Sequence, residues 1–389
     1  MPPLFDPADF RIPPGIAHLC AGGETPFLLR HDAALLAYAR DKSAGMPGRT
    51  RQEAEVEGAR ARIAAAWGVA QDEIGFCANV AEGVSLVVES LDWRPGDTML
   101  VDQDEYPSVV APAALQRHPP VALRFAPMRD PAAVAAVADH RTRLIGVSAV
   151  CFLTGARHDL AALRRIADRV GALLVVDYTQ AAGWMPIRAE LADFAFAATY
   201  KWLLGMTGTA IAYWNRARQD AWAPATAGWH SIASHARPDW SAPPGLVPDA
   251  MRFARGNPAH AALYVLNGAL DYVAAHDMAA IERHVQALTT ALLARLEALG
   301  IASTTPPDPA RHGASVCIAT PAAARLAGWL QDRGIWSWNG RGRVRFSFHG
   351  YNDMREVDRI AGALREARAH GIMPEGAMPG GGMPKEGTP

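Results

Sequence analysis

The stretch that decides the fold runs from Ala172 to Gly208: ALLVVDYTQAAG over 172–183, a short link, then ATYKWLLGMTG over 198–208. An apolar, β-branched run, Leu173 to Val176, ends in an acid, Asp177. Gln180 follows three residues later, and Lys201 comes 24 residues after Asp177 (201 − 177), between the aromatics Tyr200 and Trp202 and ahead of a Gly-punctuated turn. A continuous apolar run of this kind reads as a parallel strand buried on both faces. Ligands of open α/β sheets bind at the carboxyl ends of such strands, where Asp177 stands.

These residue types suit one chemistry. Pyridoxal phosphate (PLP) is an electron sink held as a Schiff base to a lysine amine. The amine works only if part of it is neutral, which a desolvated setting beside aromatic rings promotes. The sink works best with a protonated pyridine nitrogen, which needs a carboxylate beside it. Taken singly, Asp177 could cap the next turn and Lys201 could be a surface lysine. Their order and spacing favour the two ends of a PLP site, with Lys201 and Asp177 as its catalytic residues.

VDYTQAAG followed by TYKWLLGMTG resembles the class V aminotransferases among the fold-type I PLP enzymes. That group includes cysteine desulfurases, selenocysteine lyases, isopenicillin N epimerase-like proteins and kynureninases. The resemblance extends from about Phe76 to Asn352. It implies Lys201 as the Schiff-base lysine, Asp177 as partner of the pyridinium and Gln180 near the ring hydroxyl. It also implies an α/β fold: a large domain with a mostly parallel seven-stranded sheet covered by helices, and a small C-terminal α+β domain.

Outward from this stretch, strand and helix signals alternate, as a doubly wound sheet requires. Strands are expected at Ile74–Cys77, Thr98–Asp102, Val121–Phe125, Leu144–Val150 and Thr207–Trp214. Asn79 is a candidate N-cap for the helical run that ends near Leu91, and a helix start suits a phosphate. By itself this could be an ordinary strand-to-helix turn. The resemblance makes Asn79, Val80 and Ala81 the phosphate cradle. Tyr106, in Glu105-Tyr-Pro-Ser108, matches the residue that stacks on the pyridine ring; a core tyrosine before a Pro-started helix is the alternative. Tyr200, Trp229 in Ala227-Gly-Trp-His230, and Asn257 in Gly256-Asn-Pro258 resemble the phosphate donors of kynureninases, the last two serving the neighbouring subunit. A homodimer with shared active sites is therefore expected. Arg345, in Arg343-Val-Arg345-Phe-Ser-Phe-His349, matches the arginine that binds the substrate carboxylate; a guanidinium is a planar bidentate partner for that group.

Composition bounds the rest. The 389 residues are half hydrophobic, enough for a large core and two domains. The expected division is an N-terminal arm (1–30), a PLP-binding domain (31–275), a small C-terminal domain (276–371) and a disordered Met-Pro-Gly tail (372–389). With 38 basic and 39 acidic residues and no basic run, neither nucleic acid nor a membrane surface is an expected partner. The first ten residues lack the basic-then-apolar pattern of a signal peptide, and no apolar run reaches spanning length, so a cytoplasmic enzyme is expected. Cys20, Cys77, Cys151 and Cys317 are widely spaced and contain no CxxC, so neither a metal site nor a disulfide framework is expected.

The sequence narrows the reaction less. Desulfurases carry a nucleophilic Cys on a C-terminal loop; here Arg333 to Arg345 contains none, which argues against persulfide formation. Gln180 also replaces the His usual in kynureninases, and Phe152 stands where desulfurases have Asn. The first expectation is a PLP-dependent aminotransferase or lyase acting on an amino acid, with β-elimination or C–S cleavage. A kynureninase-like hydrolase or an epimerase is the alternative. A catalytically silent PLP-fold binding protein is the alternative outside enzymes, disfavoured by retention of both Lys201 and Arg345.

Overall fold

The computed structural model describes residues 1–233 and 240–373. In chain order the first elements are β1 (Ala17–Leu19), α1 (His31–Lys42), α2 (Gly45–Trp67), β2 (Ile74–Cys77), α3 (Val80–Ser90), β3 (Thr98–Val101), α4 (Pro107–Ala114) and β4 (Ala122–Phe125). Then come α5 (Pro131–Val137), β5 (Thr142–Ser148), α6 (Leu160–Val170), β6 (Leu173–Asp177), β7 (Phe194–Ala198), β8 (Ala210–Trp214) and α7 (His260–Ala274). The last are α8 (Met278–Ala298), β9 (Ser315–Ala319), α9 (Ala323–Gln331), β10 (Ile335–Gly340), β11 (Arg343–Ser347) and α10 (Met354–Ala369).

These elements form two compact units. The larger holds residues 28–150 and 158–278; the smaller holds residues 1–27, 151–157 and those from Ala279 on. The N-terminal segment thus belongs with the C-terminal one rather than standing apart as an arm.

The larger unit is built on a seven-stranded sheet in the order β2-β8-β7-β6-β5-β3-β4. The strands from β7 to β4 are parallel; β8 alone is reversed, pairing antiparallel with β7 on one side and with the edge strand β2 on the other. β6 lies in the interior, which is why its sequence has no polar alternation before Asp177. Helix α6 returns the chain to it. Its start is capped by Asp159, whose side chain accepts from Ala162 N at 2.9 Å, and it ends on Gly171 in the left-handed region (φ 74°). One face of the sheet is filled by aromatics: Phe194, Phe196, Trp214, Trp222 and Phe253 share a core, with Trp222 and Phe253 stacked at 4.5 Å. Each such side chain contributes about 1.5–3 kcal/mol through burial. β7 was not evident in the sequence, where it fell within the short link before Lys201.

The smaller unit has a four-stranded sheet in the order β1-β10-β11-β9, with β1 parallel to β10 and the other pairs antiparallel. Leu288 and Leu292 of α8, Leu326 of α9 and Ile360 and Leu364 of α10 share a core with Val344 and Phe346 of β11. Met373, placed by the sequence in a disordered tail, is buried in this core, and Ile372 packs against it. Residues 374–389 of that expected tail lie outside the described residues, as do 234–239 of the long 215–255 connection. No described helix is long and apolar enough to cross a membrane.

Candidate active site

Asp177 closes β6 and is 4 % exposed. Its Oδ1 accepts the main-chain N–H of Thr179 at 2.8 Å. Burial pushes its carboxyl above the usual range, while the two Thr179 hydrogen bonds and the charge of Lys201 pull the other way. The Thr179 hydroxyl in turn accepts from Ala198 N at 2.9 Å. Ala198 ends β7, so the acid and the strand that feeds the lysine are tied by one short residue.

Lys201 is 6 % exposed and sits in the turn after β7. That turn is fixed from inside and outside. Leu204 N donates to Lys201 O at 2.9 Å and Gly205 N to Thr199 O at 2.8 Å. The buried Thr199 hydroxyl bridges to the carbonyls of Met206 and Thr209 at 3.0 and 3.1 Å. Gln180 supplies the outer tie: its Oε1 accepts from Trp202 Nε1 at 3.1 Å, and its main-chain carbonyl from Trp184 Nε1 at 2.7 Å. The Lys201 amine lies 5.5 Å from the ring centroids of both Tyr106 and Tyr200, within cation–π range.

Asn79 is the N-cap of α3, its Oδ1 accepting from Glu82 N at 2.9 Å, while Glu82 reaches back to Ala78 N at 2.6 Å. The first N–H groups of a helix have no intrahelical partner, which leaves Val80 and Ala81 as main-chain donors. Gly83 brings this helix onto the sheet: a Cβ there would stand 2.3 Å from the ring of Phe196, and Phe196 pairs in register with Asp177. Asn79, Val80, Ala81, Tyr106, Asp177, Gln180, Tyr200 and Lys201 all belong to the larger unit, as do Trp229 and Asn257. Trp229 is half-exposed and packs edge-on against His230, and Asn257 Oδ1 accepts from Arg49 at 2.6 Å.

Arg345 lies in the smaller unit, on β11, and is 2 % exposed. Its Nη1 donates to Phe152 O at 2.8 Å, and its guanidinium lies 4.6 Å above the ring of Trp338, its cross-strand partner. Gly23 leaves room beside it: a Cβ there would be 3.7 Å from Arg345 Nη2. The stretch where a desulfurase thiol would lie is β10 and the two-residue turn Arg341-Gly342, both at positive φ. None of the four cysteines is in a disulfide. Burial pushes Cys20 up to about 11 and Cys317 up to about 12, and Cys77 higher still, so these remain protonated near neutrality.

Several participants were not singled out in the sequence. Thr179 and Trp338 act through partners that only the fold reveals, and so does the hydrogen bond of Trp202, which the sequence showed only as an aromatic beside Lys201. Glu105 is buried although an acid after a strand ordinarily faces water.

The larger unit's residues fit PLP. They offer a buried amine, a buried carboxylate at a strand end, a ring beside the amine and a helix start on the same sheet. Comparison with known proteins agrees. The family model Aminotransferase class-V matches residues 37–360. A probable cysteine desulfurase of Methanothermobacter thermautotrophicus is 27% identical over 394 residues, covering 91% of this chain and 95% of the relative. A kynureninase of Burkholderia mallei is 31% identical over 173 residues, 43% of this chain and 41% of that protein. Among solved structures, a cystine C–S lyase in complex with its product cysteine persulfide superposes with a TM-score of 0.82 at 20% identity, covering 91% of this chain and 98% of that one. The chain belongs to the class-V aminotransferase family and is a PLP-dependent enzyme of lyase or transferase type.

Proposed function

We propose that this enzyme is an amino-acid C–S lyase, removing a sulfur leaving group from the β-carbon of cystine or cysteine without passing the sulfur to a thiol of its own. The observation that carries this reading is Lys201: a buried amine between two tyrosine rings, in a turn hydrogen-bonded to the Asp177 segment. PLP, when bound, supplies the electron sink that makes the Cα proton removable. Lys201 would hold the cofactor, and its amine, once displaced by the substrate's, would take the Cα proton and could pass it to the departing sulfur. Asp177 keeps the ring nitrogen protonated. Val80 and Ala81 would donate main-chain N–H groups to the phosphate, helped by Asn79 and Tyr200, and Tyr106 would stack on the ring. Arg345 fixes the substrate carboxylate, its plane set by Trp338 and the Phe152 carbonyl. The tight β10–β11 turn and the protonated cysteines favour release of the sulfur product over persulfide transfer to the protein.

We also infer a homodimer in which Trp229 and Asn257 serve the partner's cofactor phosphate. A second reading, hydrolytic cleavage of kynurenine, is favoured by the position of Tyr200 and by the partial match to a kynureninase.

The test is spectroscopic. Purified protein given PLP should show a visible band that borohydride fixes onto Lys201, and Lys201→Ala should lose both the band and at least about a thousandfold in rate. Cystine or cysteine should yield pyruvate and ammonia. Anthranilate from kynurenine, with no pyruvate from either sulfur amino acid, would transfer the assignment to the second reading. A protein that takes up no PLP would overturn both.

A further inference from the structure

Glu105 is a buried acid that the reading above leaves unused. It follows β3, in the turn closed by Glu105 N to Asp102 O at 3.2 Å, and it is 8 % exposed. Its Oε1 accepts the main-chain N–H of Tyr106 at 2.6 Å and the Ser148 hydroxyl at 2.5 Å; its Oε2 accepts Ser148 N at 2.8 Å. Ser148 ends β5 and pairs in register with Asp177. The carboxyl therefore joins two strand ends. On one side is the turn that presents Tyr106 to Lys201; on the other is the position next to Asp177.

An acid is a costly choice for a structural pin at a buried site, where neutral donors and acceptors would serve. Burial pushes Glu105 up to about 7, the three hydrogen bonds oppose that, and the negative charge of Asp177 adds to it. The other ionisable groups around it are His158, whose Nδ1 lies 2.7 Å from Ser148 O, Asp102 in the preceding turn, and Lys201 across the Tyr106 ring. His158 is itself held neutral by burial. No described arginine pairs with Glu105; its carboxylate is held by Tyr106 and Ser148 alone, and the charge it interacts with is that of Asp177.

We propose that Glu105 is a positioning residue of the cofactor site: it fixes the turn that carries Tyr106 against the strand edge that carries Asp177, and it adds a second negative charge that favours the protonated form of the bound cofactor. This rests on the PLP reading. Glu105→Gln keeps the size and removes the charge. Two quantities decide the matter: the PLP affinity of the apoprotein, followed by tryptophan fluorescence, and the pH midpoint of the visible band of the loaded protein. Loss of the charge-assisted hydrogen bonds weakens PLP binding by about tenfold. Loss of the nearby negative charge moves the band's midpoint to lower pH by about one unit. Ser148→Ala, which leaves the acid but removes one donor and so favours its neutral form, moves the midpoint the same way by less. An unmoved midpoint in a Glu105→Gln protein that binds PLP overturns the proposal, whatever happens to affinity, because a purely structural pin would leave the titration alone. If Glu105→Gln does not fold, the Ser148→Ala midpoint decides by the same criterion. A wild-type protein without a band would overturn the cofactor reading and this proposal with it, whereas a wild-type band beside an unmoved variant overturns this proposal alone.

Discussion

Gly183 lies 18 residues before the lysine, yet its replacement by alanine should damage both the fold and the site. Its φ is +111°, a region that residues with a Cβ adopt only under strain of about 1–3 kcal/mol. A Cβ built there stands 2.1 Å from Trp202 O, 2.4 Å from Trp202 C and 2.8 Å from Leu203 N. An ordinary C···O contact is about 3.3 Å, so the peptide after Lys201 must retreat by about 1.2 Å. It has little freedom to do so, because Leu204 N, Gly205 N and the Thr199 hydroxyl all hold that turn. Overpacking of this kind adds about 1–3 kcal/mol, for a total of about 2–6 kcal/mol, against a typical stability of about 5–15 kcal/mol. A displacement of about 1 Å at a catalytic group costs about a hundredfold in rate. Urea unfolding of the apoprotein would measure the first effect; kcat/KM at low temperature, where the variant stays folded, would measure the second. Gly171→Ala is the control. That residue also has positive φ (74°), but nothing lies within 4 Å of its built Cβ, so strain alone is added at a helix end remote from the lysine. If Gly183→Ala matched Gly171→Ala in urea midpoint and kept wild-type kcat/KM, the claim that this contact positions Lys201 would be wrong.

Asp193→Ala should cost about 3–5 kcal/mol in urea unfolding, because the 2 %-exposed acid accepts from Arg164 at 2.5 Å, Leu174 N at 2.7 Å and Gln219 at 2.8 Å, and its loss leaves the buried Arg164 without that partner. A change under about 1 kcal/mol would contradict that. Arg345→Ala should raise KM for amino-acid substrates by about 30-fold, as the loss of a charge-assisted bond implies, while leaving the PLP band in place. Arg345→Lys should recover only part of this, since an ammonium cannot reproduce the bidentate plane. Equal KM values in wild type and Arg345→Ala would remove that arginine from the substrate site.

The sequence made the sheet and the chemistry legible to different degrees. β6 announces itself because an interior parallel strand is apolar on both faces and its acid breaks the pattern at one end. β7, Phe194-Ala-Phe-Ala-Ala198, escaped notice because three of its five residues are alanine, a poor strand former, and only pairing with β6 and β8 makes it a strand. β1 and the Pro-rich residues around it carry no periodic signal either. They are ordered by pairing Ala17–Leu19 with Ile335–Ser337, more than 300 positions away, which no local pattern encodes. The same holds for Glu105, whose burial depends on Ser148, 43 residues later. Lys201 and Asp177 stood out as candidates because the chemistry proposed for them demands those residue types; the hydrogen bonds of Thr179, Gln180 and Trp202 around them did not, because they close only in three dimensions.

The aiming itself explains why the site can tolerate so much buried charge. Asp177 and Lys201 are placed without long, flexible ties. Thr179 connects the Asp177 carboxylate to Ala198, and Gln180 is hydrogen-bonded to Trp202, so the 177–180 turn is fastened to the chain on both sides of the lysine. Each tie is a single polar residue that uses one main-chain and one side-chain group: a main-chain N–H toward Asp177 and a hydroxyl toward Ala198 for Thr179, a main-chain carbonyl toward Trp184 and a side-chain oxygen toward Trp202 for Gln180. Donors fixed in this way need no reorganisation when charge develops, which is the condition for strong electrostatic stabilisation in a dry site. The cost is sensitivity. Because Gly183 closes the same turn against Trp202, a single methyl group there pushes on the whole frame, and the lysine moves with it.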